Sequence, residues 1–516
     1  MSRSIYCSAT SGLLGNNRSQ TIKANTGGEL AVNTPKTIYG EGLTAELNPE
    51  LNGTFVYGLH PNLHSENSIG SGSYSSENSM IVVNSGAAAN SSQNIRSKRA
   101  LRYIAGMGTM GRFSAVFESG SGDNVQVIGF GSAECGFFYA MVAPNTFAIL
   151  HNKSNLRETR RLTITTGSST AENVAVVLDG ATFNVPVTNT ADTEKTAWEI
   201  ANHNYSSVLN GWAAEANDNY VTFVSINAGS RSGSYSLTGT TAVGSFSSLV
   251  VGTSGNTDYY LQSSWNVDVM NGSNSSSNPS GMLLDPTKGN VYQIAIQYLG
   301  FGKICFSIED SNGVIVPVHE IQYANNNTVP SLAYPTLPFS MTSINYTNTT
   351  NVALRCASYA GFNQGIIPDS DILYSSLYSR TGITTTLRPY ISIRNDIYFN
   401  GHANNGHAKL LKVAVSNDDK SNLEVYIYRD VTMTNNAIFS EHESTNSIVS
   451  ICKHDITTDT FSGGTLLFSY GVVKRSNDVA KLTNKFIAPG DTITIAVNTT
   501  TTTTDATISL QWEEYR

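Results

Sequence analysis

Nine histidines and five cysteines are the residues of this 516-residue chain best equipped for metal or nucleophilic chemistry, and their spacing limits what they can do. His60 with His64 and His402 with His407 are the close pairs. Separations of four and five in loop or strand contexts give neither pair a regular face toward an ion, so these read as solvated or core histidines. Cys452, His454 and Asp455 stand together in "CKHDITTD", where a strand would turn the thiol and the imidazole to one side without the remaining ligands that zinc takes. Cys7, Cys135, Cys305 and Cys356 are isolated. An odd total with no C-x-x-C pair argues against a disulfide framework and a zinc cluster, leaving most of them as small buried hydrophobes. The chain contains no G-x-S-x-G, H-E-x-x-H or G-x-x-x-x-G-K-[ST]. The reading is therefore no catalytic residue, no bound cofactor and no metal ligand, and a protein that is not an enzyme.

Three other groups invite a functional reading. Asp268, Asp285 and Asp310 lie at predicted strand ends, where carboxylates can hold calcium, but turn-forming aspartate is the preferred assignment. Tyr259, Tyr260, Trp265, Tyr323 and Tyr334 could stack on sugar rings if they lie on an open sheet face, since an aromatic face is apolar and a phenol still hydrogen-bonds. Gly300-Phe301-Gly302 in "QYLGFGKICFSIED" resembles a ligand cradle until its context is considered. Ile304, Phe306 and Ile308 follow in strand alternation with no helix to receive a phosphate, so the glycines mark a bulge or tight bend.

The elements that must position these residues are mostly strands. Residues 1–98 mix short apolar runs ("GTFVYGL", "SMIVVN") with loops such as "SIGSGSYSSENS" and read as a strand-rich arm or attachment region. From residue 99, Phe113, Ala115 and Phe117 alternate with polar neighbours, and "NVQVIGFGS" and "GFFYAMVAPNTFAIL" follow at strand-and-turn spacing. Residues 159–255 form a separate α+β module. Asp192 or Thr193 caps its helix, Glu194 occupies the first turn, and Ala197, Ile200, Ala201 and Val208 share a face, while "LDGAT" supplies an Asp-Gly hairpin turn. "DYYLQSSWNVDVM" and "NVYQIAIQYLG" then resume the long strands, with Ser311-Asn312-Gly313 as a tight hairpin.

The expected fold is mainly β: one sandwich from 99–158 plus 256–365, the inserted α+β module in one of its loops, and a second sandwich over 366–516. In the last strand Ile508, Leu510 and Trp512 face the core while Thr507, Ser509 and Gln511 face water. Thr499–Thr504 read as a solvated hairpin loop.

Composition narrows the function classes. Charged residues make up 14% of the chain, against roughly 25% in an ordinary soluble domain, so the surface is polar without being charged. A net charge of -8 with no basic stripe supplies nothing to neutralise phosphates, which argues against nucleic acid as a partner. The N-terminus carries no apolar signal region and no window reaches membrane-span length, so cytosolic synthesis without membrane insertion is expected. The N-x-[ST] sequons at Asn52, Asn90, Asn271, Asn345 and Asn498 are then chance products of a chain rich in Asn, Ser and Thr.

The stretch from "WNVDVMNG" through "LLDPTKGNVYQIAIQYLGFGKICFSIED" to "VHEIQYAN" resembles segments of structural proteins of tailed phages and large aquatic DNA viruses that carry a laminin-G/concanavalin-like β-sandwich. "RYIAGMGTMGRFSAVF" and "LPFSMTSINYTNTTNVALRCASYAG" fit the same pattern. The inserted unit is similar to small modules of phage tail and baseplate proteins, and "LRPYISIRNDIYFNGHAN" and "DTITIAVNTTTTTTDATISLQWEEY" to the β domains that follow such sandwiches. The resemblance implies a virion component at the capsid surface, a vertex, a fibre or a tail. Its partners would be other virion proteins, further copies of itself as a homo-oligomer, and a host-surface glycan. A glycan-processing enzyme and a free carbohydrate-binding lectin are the competing readings.

Overall fold

Alternating apolar residues can bury one face of a strand only if a second sheet covers it, and the computed structural model meets this demand with three separate cores. It describes residues 46–516 except 143, 207–209, 366–371, 418–420, 435–436 and 444–445. Cys7, Val208 and the first 45 residues of the expected arm lie outside the described residues.

The first core lies between a six-stranded and a seven-stranded antiparallel sheet. The six strands run in the order Leu47–Thr54, Ser358–Gln364, Thr109–Ala115, Asn290–Ile296, Ile304–Glu309 and Ile315–Ile321. Opposite them lie Thr257–Leu261, Thr146–Asn152, Gly136–Val142, Asn124–Gly131, Leu337–Asn345, Ser91–Leu101 and His64–Ile69. Phe113, Tyr292 and Phe306 of the first sheet meet Tyr139, Phe147 and Phe339 of the second, and the Tyr139 hydroxyl donates to the Ser307 carbonyl at 3.0 Å across the gap. This is the mainly β sandwich architecture expected for the chain.

Four expectations are corrected here. Residues 47–98 are not an arm: Leu47–Thr54 pairs with Ser358–Gln364, Ser91–Leu101 pairs with Leu337–Asn345, and Phe55, Ile81, Val83 and Ile95 sit in the sandwich core. Their partners lie more than 230 residues away in sequence (Leu101 faces Leu337, Leu47 faces Gln364), so local patterning could not reveal the pairing. The segment read as the loop "SIGSGSYSSENS" contains the strand Ser73–Glu77, which turns through Asn78 and Ser79, both at positive φ, to pair with Met80–Asn84. "WNVDVM" is not strand. The chain leaves Thr257–Leu261 through a short 3-10 turn, Gln262–Ser264, after which Trp265 is buried in the core.

The inserted module occupies the connection between two neighbouring strands. Asn152 faces Thr257 and Leu150 faces Tyr259, so the chain leaves and re-enters the seven-stranded sheet at one hairpin, where an insertion costs little closure entropy. Within the module, Arg157–Thr166 lies between Tyr220–Ala228 and Val243–Val250, with Trp212–Asn217 at the edge. Ala181–Val187, Glu172–Leu178 and Ser236–Thr238 form a second sheet. Asp179 (φ 53°) and Gly180 (φ 81°) make the two-residue turn that joins Leu178 to Ala181.

The C-terminal core lies between a four-stranded sheet (Leu373–Ile383, Thr504–Tyr515, His407–Asn417, Ser476–Ile487) and a six-stranded one. The latter contains Ser440–Glu441, Val449–Lys453, Arg388–Asn395, Thr492–Thr499, Leu423–Arg429 and Thr465–Val472. Ile508, Leu510 and Trp512 are fully buried. The fourth correction concerns the threonine run: Thr492–Thr499 and Thr504–Tyr515 belong to different sheets, so the run carries the chain from one layer to the other and is no hairpin. Thr499 and Thr504 are buried at its two ends.

The three units meet through polar contacts. Lys98 reaches Asp491 at 2.8 Å and Asp430 at 3.2 Å, and the Arg99 and Arg102 guanidinium groups lie over the rings of Phe486 and Tyr515.

Candidate functional site

The helix Thr193–Ala201 builds one wall of a cleft. It starts at Asp192, whose Oδ1 accepts from the backbone N–H groups of Glu194 (2.8 Å) and Lys195 (3.2 Å). Thr196, Ala197 and Ile200 turn inward. That rotation leaves Lys195, Trp198 and Glu199 along the flank facing the C-terminal sandwich, where Thr434, Thr458 and Asp459 form the opposite wall. With Thr188 these residues line an open cleft of about 400 Å³.

Trp198 joins the two walls. Half-buried, it packs on the core of the inserted module and also on the small cluster of Ala437, Phe439 and Cys452 in the C-terminal sandwich. The carboxylates beside it are held in place. Glu199 accepts from the Thr188 backbone N–H at 2.8 Å and from the Thr188 hydroxyl. Asp459 Oδ2 accepts from the Asp455 N–H at 2.9 Å and lies 3.3 Å from His454 Nδ1, while its Oδ1 accepts from the Thr458 hydroxyl at 3.2 Å. An aromatic surface flanked by fixed acceptors, hydroxyl groups and an ammonium group suits a polyhydroxylated ligand: the ring covers an apolar face and the polar groups fix its orientation.

Behind the Asp459 wall, His454 Nε2 lies 2.7 Å from Ser392 Oγ, which gives a serine–histidine–aspartate chain. Ser392 has 0% exposure, and its hydroxyl is also 2.7 Å from Thr494 Oγ1. The hydroxyl is therefore closed to any ligand in the cleft, and the chain of hydrogen bonds fastens the loop 454–459 to the sheet. Cys452 Sγ lies 3.6 Å from His454 Nδ1, and burial pushes the thiol well above its ordinary range, which disfavours the thiolate that a metal would need. Among the described residues, no group of three or more His, Cys, Asp or Glu side chains is arranged to hold a metal ion.

The histidine pairs are split by the fold. His64 is buried with Nε2 at 2.8 Å from the Tyr359 hydroxyl while His60 is exposed; His407 is buried with Nε2 at 2.9 Å from the Lys98 carbonyl while His402 is exposed. Burial lowers both His64 and His407 to about 4. The three aspartates tie down turns. Asp268 accepts from the N–H groups of Met270 and Ser280, Asp285 from Thr287, and Asp310 from Asn312 and Val314.

The five aromatic residues do not form one platform. Trp265 and Tyr323 are core, Tyr260 packs at a tilt against His319 with ring centroids 4.6 Å apart, Tyr334 lies against His402, and Tyr259 alone of the five is open, at 55% exposure. Gly300 (φ 81°) and Gly302 shape the loop between Asn290–Ile296 and Ile304–Glu309, as the strand reading requires. The residues missed in the sequence are Lys195, Trp198, Glu199 and Asp459. Their one local signal is a tryptophan beside, rather than on, the Ala197/Ile200/Ala201 stripe of the helix.

No family model and no curated protein matches the chain. Among solved structures, a peanut lectin with a 9mer peptide aligns with 63% of this chain and 100% of its own, at 9% identity and a TM-score of 0.26. The binding domain of botulinum neurotoxin serotype C1 covers 85% of this chain and 89% of its own (8% identity, TM-score 0.22). A triple jelly-roll protein of an archaeal virus turret covers 92% and 98% (8% identity, TM-score 0.17). At these scores the likenesses carry no argument, and the fold rests on the sheets described above.

Proposed function

We propose that this chain is a non-catalytic structural protein of a virus particle that attaches to host-surface glycans through the cleft between its inserted module and its C-terminal sandwich. The observation that carries the glycan reading is Trp198, half-buried between two modules and flanked by the anchored carboxylates Glu199 and Asp459. The virion setting is supported by the resemblance of the sandwich segments to phage and large-virus structural proteins. The low charge of the chain (14% charged residues) suits a particle surface, because identical subunits repel one another little. Homo-oligomerisation and contacts with other virion proteins belong to the same proposal.

Three measurements test it. A glycan array with purified protein should give saturable binding that Trp198→Ala weakens. Antibodies to the chain should label virions, and the protein should self-associate. Reducing ends released from a polysaccharide and lost on Glu199→Gln or Asp459→Asn would instead establish a glycan-processing enzyme.

A further inference from the structure

The cleft exists only while the inserted module is docked on the C-terminal sandwich, and the contact that docks it contains one more acid than base. Arg394, from the strand Arg388–Asn395, reaches into the module: its Nη2 donates to the Ala216 carbonyl at 2.9 Å and to Asn217 Oδ1, and its guanidinium lies 4.1 Å from the Phe439 ring centroid. Two carboxylates share this guanidinium, Glu215 Oε2 at 3.4 Å and Asp396 Oδ1 at 3.2 Å. All three side chains are buried, at 6%, 9% and 5% exposure for Glu215, Arg394 and Asp396.

Every other polar contact around the trio leaves that imbalance in place. Glu215 Oε2 accepts from the Ile397 N–H at 3.1 Å, and Asp396 Oδ2 accepts from the Ser450 hydroxyl and from Asn217 Nδ2 at 3.4 Å, all neutral donors. Elsewhere along the contact between the two units, Asp218 accepts from Ser440 Oγ at 2.6 Å and Glu441 accepts from the Tyr220 hydroxyl at 2.6 Å. Arg161 lies over the Tyr220 ring at 3.9 Å, and the Cys452 thiol is neutral. Two buried carboxylates facing one guanidinium cannot both stay ionised without a large desolvation cost, so one of them keeps a proton.

We propose that docking of the inserted module on the C-terminal sandwich, and with it the assembly of the cleft, takes up one proton at the Glu215–Arg394–Asp396 cluster. The link to ligand binding rests on the glycan reading; the docking step does not. Burial raises both carboxyl groups above their ordinary range, with the Arg394 guanidinium opposing. The sign follows. A group whose pKa is raised in the docked state contributes docking stability that is complete below its undocked pKa and is lost as pH rises through the docked value. Docking therefore tightens in acid and loosens toward alkaline pH.

Amide hydrogen exchange on the full chain reads this directly at Asp218, whose N–H donates to the Phe439 carbonyl at 2.9 Å, and at Ile397. After correction for intrinsic exchange, the opening constant at these amides should rise as pH increases from about 5 to about 8, with a limiting slope of about tenfold per pH unit. Glu215→Gln keeps an acceptor for the Ile397 N–H without the titrating proton, so its opening constant should stay flat. Asp396→Asn, the second variant, should likewise flatten the profile if Glu215→Gln fails to fold. A wild-type profile that is already flat, or variants with the wild-type slope, would overturn the proposal. Should no glycan bind at any pH while the slope persists and the variants flatten it, the docking inference stands and the glycan reading falls. Trp198-dependent binding with one affinity across the pH range for wild type and variants would do the reverse.

Discussion

At the scale of single residues, Gly302 shows how little room a side chain has where two strands join. Its N–H donates to the Tyr298 carbonyl at 2.7 Å, and a Cβ at this position would stand 1.5 Å from the Gln297 carbonyl oxygen. Gly302→Val should therefore lower folding stability by about 3 kcal/mol or more, because backbone rather than a yielding side chain blocks the methyls; denaturant unfolding measures this. The buried histidines set a second residue-scale property. His64, His151, His319 and His407 are lowered to about 4 by burial, and in the unfolded chain they titrate near 6.5. Their folded pKa is depressed, so the stability they support is complete above the unfolded value and is lost as pH falls through the folded one. Thermal unfolding should show a falling midpoint below about pH 6.5, with His407→Gln reducing the slope. This trend opposes the acid-tightened docking of the inserted module, which is why the local exchange measurement, and not global stability, reports on Glu215.

At the scale of elements, the sequence was legible wherever a local rule decided the outcome. Asp192 capping the helix, the Asp179-Gly180 turn and the inward row Ile508, Leu510 and Trp512 follow from propensity, turn chemistry and period-two alternation. Long-range pairing left no such trace. The edge strand Leu47–Thr54 finds its partner at Ser358–Gln364, and the threonine run changes sheets without any composition change to announce it. The candidate site was illegible for the same reason, since Asp459 and Trp198 come together only when two modules dock. The helix connects both scales. Asp192→Ala removes two hydrogen bonds to its first turn and should cost about 1 kcal/mol in the inserted module, which calorimetry would register, and it should weaken ligand binding by loosening the Trp198 wall.

At the scale of the whole molecule, charged clusters join the three cores, and at the junction that holds the cleft Trp198 adds apolar packing on Ala437, Phe439 and Cys452. Lys98 with Asp491 and Asp430 joins the first sandwich to the C-terminal one, while Arg394 with Glu215 and Asp396 joins the inserted module to that same C-terminal unit. The C-terminal sandwich is thus the hub against which both other units are fixed. A ligand bridging Trp198 and Asp459 would add a contact across the second junction, so binding and docking should reinforce each other. Whether the cleft is a glycan site is decided by a binding titration of the full chain and Trp198→Ala against the strongest glycan found on an array. The wild type should bind saturably and the variant should lose at least about tenfold in affinity, the loss of one aromatic contact of about 1.4 kcal/mol. Equal affinity for the two proteins would contradict the glycan reading.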